Sequence, residues 1–158
     1  MEEIKRGLAA LSDSEQKEIS AFPEWIVWHT LISPRLVLLE SKVTALGADT
    51  YCIRFVVQNE GWLPTYVTKK ALERKMTRGV IAEISLPKGV SLESGKERQE
   101  LGELEGRAYK PVNPEETEES TDERVKVDWV VKAKKGTKIK FLAKHERAGV
   151  VRTQVVLE

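Results

Sequence analysis

Two histidines, His29 and His145, and one cysteine, Cys52, are the residues of this 158-residue chain best suited to bind a metal or to act as base or nucleophile. A helical zinc motif of the His-x-x-Glu kind needs a carboxylate three residues after the histidine, so that both ligands lie on one face. Ile32 stands in that place after His29 and Ala148 after His145. Glu146, beside His145, would project from the opposite side of a strand. Cys52 lies between Tyr51 and Ile53 in an alternating run, with no expected electropositive helix terminus beside it, and reads as a small half-buried residue. Arg35, Arg54 and Arg147 could hold a carboxylate, yet no spacing marks any of them as a clamp. The glycine-containing stretch Gly102-Glu103-Leu104-Glu105-Gly106 carries acids, which repel phosphate. The residues therefore nominate no catalytic group, no metal ligand and no cofactor for this chain.

The elements that would position these residues are mostly strands. Thr50–Thr68 is the central stretch. Tyr51, Ile53, Phe55 and Val57 share one face at period two, and Cys52, Arg54, Val56 and Gln58 share the other. Asn59, Glu60 and Gly61 break the strand, Leu63-Pro64 stiffens the exit, and Trp62 is left at the corner. Leu36–Ala45 precedes it as a strand with Val37, Leu39, Ser41, Val43 and Ala45 in phase. Tyr66–Thr68 is expected to open a further strand, and residues 69–78 are mixed in character. Gly79–Leu86 has Val80, Ala82, Ile84 and Leu86 on one face, and Gln99–Ala108 reads as a weaker strand. The clearest signal comes last: Val125, Val127, Trp129 and Val131 alternate with Lys126, Asp128 and Lys132, Ile139, Phe141 and Ala143 alternate with Lys138, Lys140 and Lys144, and Val151, Thr153, Val155 and Leu157 form the last strand.

These segments predict a mainly β fold, an immunoglobulin- or fibronectin-III-like antiparallel sandwich of seven or eight strands over residues 34–158, preceded by a helical segment over residues 1–33. Glu2–Leu11 favours helix. Ser12 and Glu15 form a possible capping box for a second helix, which either runs to about Ile32 or is interrupted where Pro23 suits the first turn of a new helix. Trp25 and Trp28 lie close together on that helix and need a large surface, supplied either by the sheet or by a neighbouring domain. Residues 113–123 hold six acids and no base, the pattern of a mobile loop.

The formal net charge of +1 selects no partner class. Ten Lys or Arg residues in 124–152 face only Asp128 and Glu146, and five more bases lie in 69–78. The aromatics Trp129 and Phe141 keep phase with the core rather than with the lysines, so these bases read as a solvated coat and not as a nucleic-acid surface. No apolar run approaches the roughly 20 residues of a membrane span. A single cysteine and a start without the apolar core of a signal peptide are compatible with a cytoplasmic location, but a fragment of a longer protein would read the same way.

The stretches FPEWIVWHTLISPRL, VVQNEGWLPTYVTKKALERK, GVIAEISLPKGVSLESGKERQELGELEGRAYKP and VDWVVKAKKGTKIKFLAKHERAGVVRTQV resemble the C-terminal accessory domain of some bacterial zinc carboxypeptidases of the carboxypeptidase A-like class. The likeness covers about Phe22 to Val156. Its most specific pieces are Asn59–Tyr66 and His145–Gly149. The resemblance implies a parent metallopeptidase, a hydrolase that holds zinc in an upstream domain of the same polypeptide, and a non-catalytic fragment serving stability or docking. No position here matches the zinc motif of that parent, so no catalytic or metal role carries over. The candidate docking surface is Trp25, Trp28, Trp62 and Tyr66. Two other readings stand beside it: a free-standing Ig-like module that binds protein or carbohydrate, with exposed aromatics on one loop edge, and a nucleic-acid binder, with the 69–78 and 124–152 bases on one continuous face.

Overall fold

The alternating segments pair into two antiparallel sheets. The fold is taken from a computed structural model that describes residues 12–20, 22–66, 68–107 and 122–158. The chain divides into two units, Met1–Ile32 and Ser33–Glu158. In the first, α1 spans Asp13–Ile19 and α2 spans Phe22–Ile32, with Pro23 in the first turn of α2. The Glu15 carboxylate accepts from the Ser12 backbone N–H at 2.8 Å and from the Ser12 hydroxyl at 2.6 Å, and these bonds hold its pKa below the usual carboxylate value. The expected capping box is thus present in its return leg. The helix expected over Glu2–Leu11 lies outside the described residues.

In the second unit, the strands are β1 (Leu36–Gly47), β2 (Thr50–Asn59), β3 (Ile81–Ser85), β4 (Ser91–Ser94), β5 (Arg98–Glu100), β6 (Arg124–Lys132), β7 (Lys138–His145) and β8 (Gly149–Val156). One sheet has the order β1-β2-β6-β4 and the other β5-β3-β7-β8. The first order and the β3-β7-β8 part of the second reproduce the A-B-E-D and C-F-G sheets of an immunoglobulin constant-type sandwich, with β5 as a short addition beside β3. The inner faces meet in one core. Ile53, Phe55, Val57, Trp129 and Val131 from one sheet and Ala82, Ile139, Phe141 and Ala143 from the other are buried in it. The Phe141 ring stacks on Phe55 at 5.8 Å and on Trp129 at 5.5 Å, which joins the two sheets through aromatic contact. Val125 is only partly buried at the edge of this core.

Four expectations need correction. The alternation of β1 changes parity. Leu36 and Leu38 lie opposite Asn59 and Val57, a register shift follows, and Ser41, Val43 and Ala45 then lie opposite Phe55, Ile53 and Tyr51. The extra residue of this bulge is Leu39, so Val37 and Leu39 do not share the face of Ser41. No strand opens at Thr68. Its hydroxyl accepts from the Ala71 N–H at 3.1 Å and caps a short helix, α3, over Lys69–Glu73. The weak strand expected over Gln99–Ala108 is reduced to Arg98–Glu100, and residues 101–106 are irregular. Most of the acidic loop lies outside the described residues, but its last member, Glu123, is 3% exposed, and its carboxylate accepts from Gln58 at 3.3 Å and Arg124 at 3.1 Å. A carboxylate with such partners can be buried where an unpaired one cannot.

The bases of the last third divide by strand parity. Arg124, Lys126 and Lys132 project from the outer face of one sheet, and Lys138, Lys140, Lys144 and Arg152 from the outer face of the other. On the second face Glu83 lies 2.9 Å from Lys144 and 3.5 Å from Arg98. The hydrogen bond from Lys144, aided by both charges, holds the Glu83 carboxyl below its usual range.

Candidate functional site

Three irregular segments meet at one end of the sandwich: residues 59–66 after β2, residues 103–107 after β5, and the β7–β8 turn at His145–Gly149. Asn59, the last residue of β2, is fully buried. Its Oδ1 accepts from the backbone N–H of Arg35 at 2.9 Å and of Gly61 at 3.1 Å. Its Nδ2 donates to the carbonyls of Leu63 at 2.8 Å and Glu105 at 3.0 Å. One side chain thus ties the entry to β1, its own loop and the Glu105 segment. Gly61 and Gly106 make that closeness possible. A β-carbon on Gly61 would collide with the Ser33 carbonyl, and one on Gly106 with the Trp62 carbonyl.

The second layer is ionisable. The Thr65 hydroxyl accepts from the Leu104 N–H at 2.8 Å and donates to Glu103 Oε2 at 2.6 Å. His145 Nε2 lies 3.3 Å from the same carboxylate oxygen. His145 Nδ1 accepts from the backbone N–H of Arg147 at 3.2 Å and of Ala148 at 3.3 Å, which assigns the ring proton to Nε2 and makes the imidazole a donor to Glu103. The other oxygen, Glu103 Oε1, is buried without a partner among the described residues. Beside this row the Tyr66 hydroxyl donates to Glu105 at 2.7 Å and 2.9 Å.

Hydroxyl, carboxylate and imidazole are the components of a nucleophilic triad, but their order here is different. A triad places the imidazole against the hydroxyl so that it can take the proton. Here the carboxylate is central and both neighbours donate to it. The Thr65 oxygen has its proton on Glu103 and a lone pair on the Leu104 amide, and Thr65 and His145 are both buried. This arrangement holds three segments together and presents no nucleophile to solvent.

The outer side of the same end differs. Trp62 is 55% exposed. Glu60 bridges Arg35, through a short contact, and Arg107 at 3.7 Å. Of the four proposed docking residues, Trp25 and Trp28 lie on α2 at 57% and 54% exposure, and α2 buries none of its side chains. The His29 ring makes T-shaped contacts with both indoles, at 4.1 Å from Trp25 and 5.1 Å from Trp28. Tyr66 is the correction: it is 3% exposed, because Glu105 receives its hydroxyl and allows the ring to be buried. Cys52 is half-buried in β2, as expected. Arg54 is paired with Asp128 across β2 and β6, with Nε–Oδ1 at 2.9 Å.

In the sequence, Glu103 and Glu105 read only as acids that repel phosphate, and nothing in Asn59–Tyr66 or His145–Gly149 marks the two stretches as neighbours. The available signal was the pair of glycines flanking two acids in GELEG, a pattern that suits acids brought close to another backbone. Among the described residues no three or more His, Cys, Asp or Glu side chains are grouped to hold a metal ion, and no helix is long and apolar enough to cross a membrane. A comparison with curated proteins returns no match. Residues 35–156, from the Arg35 amide bound by Asn59 to the end of β8, match the family described as Domain of unknown function (DUF8731), and the chain belongs to that family.

Proposed function

We propose that this chain is a non-catalytic accessory domain of a zinc carboxypeptidase-like hydrolase, giving stability or docking to an upstream peptidase domain on the same polypeptide. The observation that carries the reading is the use of the two most specific stretches of the resemblance. The side chains of Asn59, Thr65, Tyr66 and His145 bind groups of this same domain. Residues that carry turnover point at a substrate, whereas these hold loops in place. Zinc belongs, in this reading, to the parent domain. The partners are that domain alone, with no nucleic acid and no membrane. The division of the bases between two opposite outer faces supports the exclusion of nucleic acid, since a continuous basic track would need them on one side.

The test is the reading frame together with an assay. A zinc peptidase encoded directly upstream, chelator-sensitive carboxypeptidase activity in that whole polypeptide, and neither zinc nor turnover in this chain alone are the expected results. Stoichiometric zinc or chelator-sensitive turnover in this chain, or a stop codon immediately upstream, would overturn the reading. One observation favours the free-standing Ig-like binding module as a second reading: Trp62 is an exposed aromatic on a loop edge. The same reading frame separates the two.

A further inference from the structure

We infer that β8 is a self-complementary edge, and that two copies of this chain pair antiparallel along it about a two-fold axis at Thr153. This contact comes in addition to the upstream domain proposed above and holds with or without it. The first ground is that the edge is open. β8 ends its sheet and pairs with β7 from Lys138–Val156 to His145–Gly149 without a register shift. Among the described residues its backbone bonds go to β7 alone, and the bond from β1, Leu36 N–H to the Ala148 carbonyl at 2.8 Å, falls just ahead of it. The other three edges are blunted, as edges of natural sheets are. β4 and β5 have four and three residues, and β1 carries two register shifts. β8 has eight residues, no proline, and Arg152 as its one charge.

The second ground is the order of its residues. From either end, residues 150–156 run Val-Val-polar-Thr-polar-Val-Val. Antiparallel pairing about Thr153 therefore sets Val150 opposite Val156, Val151 opposite Val155 and Arg152 opposite Gln154, each twice. Apolar residues meet apolar ones, and each Arg152 guanidinium faces an amide oxygen able to accept from it. An axis at Arg152 would instead set guanidinium against guanidinium, so one register is selected. The third ground is exposure. Val150 and Val156 are 46% and 42% exposed, and this pairing covers them against each other. In the joined sheet the outermost strands are the two copies of β5, too short to template a further copy, so the association closes at a dimer.

The experiment is sedimentation equilibrium of the 158-residue chain across the micromolar to millimolar range, with disulfide trapping in a Cys52→Ser background. One strand edge is smaller than a standard interface, so the mass should rise from monomer to dimer with concentration. Gln154→Arg, at an exposed position, sets Arg opposite Arg twice and should weaken the dimer several-fold. Arg152→Gln combined with Gln154→Arg restores the complement and should restore the affinity. Thr153→Cys should give a covalent dimer on mild oxidation and Val150→Cys should not, since only position 153 meets its own copy. A chain that stays monomeric throughout would overturn the proposal and leave the edge to an extended segment of another protein. A dimer indifferent to Gln154→Arg, or trapped through Val150→Cys and not through Thr153→Cys, would assign the association to another face and overturn it as well.

Discussion

Asn59→Ala should destabilise the sandwich by about 3–5 kcal/mol, since two N–H groups and two carbonyls, one bond buried and three part-buried, lose a fully buried partner, and an unsatisfied group costs roughly 1–3 kcal/mol when buried and less when water can reach it. The affected groups are the amides of Arg35 and Gly61 and the carbonyls of Leu63 and Glu105. Little room exists for water to replace the side chain, because Gly61 and Gly106 already bring backbone against backbone. Asn59→Asp keeps the acceptor for the two amides and removes the donor for the two carbonyls, so the pair of variants separates the halves of the latch. Urea unfolding followed by circular dichroism is the measurement. A midpoint within error of the parent chain for Asn59→Ala would remove the latch from the account of stability.

Trp129→Ala should cost a comparable amount, about 3–5 kcal/mol, as a large-to-small change at a site with no exposure. The indole stacks on Phe55 at 6.2 Å and on Phe141 at 5.5 Å, and its Nε1 donates to the Lys96 carbonyl at 2.9 Å. Its loss opens a void between the sheets and frees a carbonyl in the β4–β5 connection. Trp129→Phe should recover most of the packing but not the hydrogen bond to Lys96, and should fall between the two. An unchanged midpoint for the alanine variant would show that the ring does not sit in the core.

Residues such as Trp129 were legible because strand periodicity leaves no ambiguity. Val127, Trp129 and Val131 alternate with Lys126, Asp128 and Lys132, and three charges against the single Val130 decide which face is outer. The same rule failed at β1, where one inserted residue at the bulge exchanges the faces and no composition marks the place. β4, whose sequence is Ser-Leu-Glu-Ser, carries a single apolar residue and is held by pairing with β6. The buried layer was the least legible part. Glu103 and Glu123 belong to an acid-rich third of the chain, and an acid reads as exposed until its donors are known. Three of those donors, Thr65, His145 and Gln58, come from other segments of the chain, and only Arg124 is a sequence neighbour. Tyr66 was misplaced for the same reason: its hydroxyl finds Glu105 across 39 positions of sequence.

The way β2 is embedded has a consequence in time. Its first partner, β1, is next in sequence, but its second, β6, pairs Thr50 with Lys132 and Gln58 with Arg124. The latch at the end of β2 also draws on Glu105, and the adjoining Thr65 layer on His145. Hairpins β1–β2 and β7–β8 can form locally, whereas the latch must wait until distant parts of the chain have met. Closing such long loops puts all-β folds among the slow two-state folders, on the order of milliseconds to seconds. Refolding should therefore be limited by the meeting of the two sheets. In this case Asn59→Ala accelerates unfolding and leaves the refolding rate nearly unchanged, while Trp129→Ala slows refolding as well. Stopped-flow fluorescence of both variants reads this directly, and a refolding limb displaced by Asn59→Ala would place the latch early rather than last.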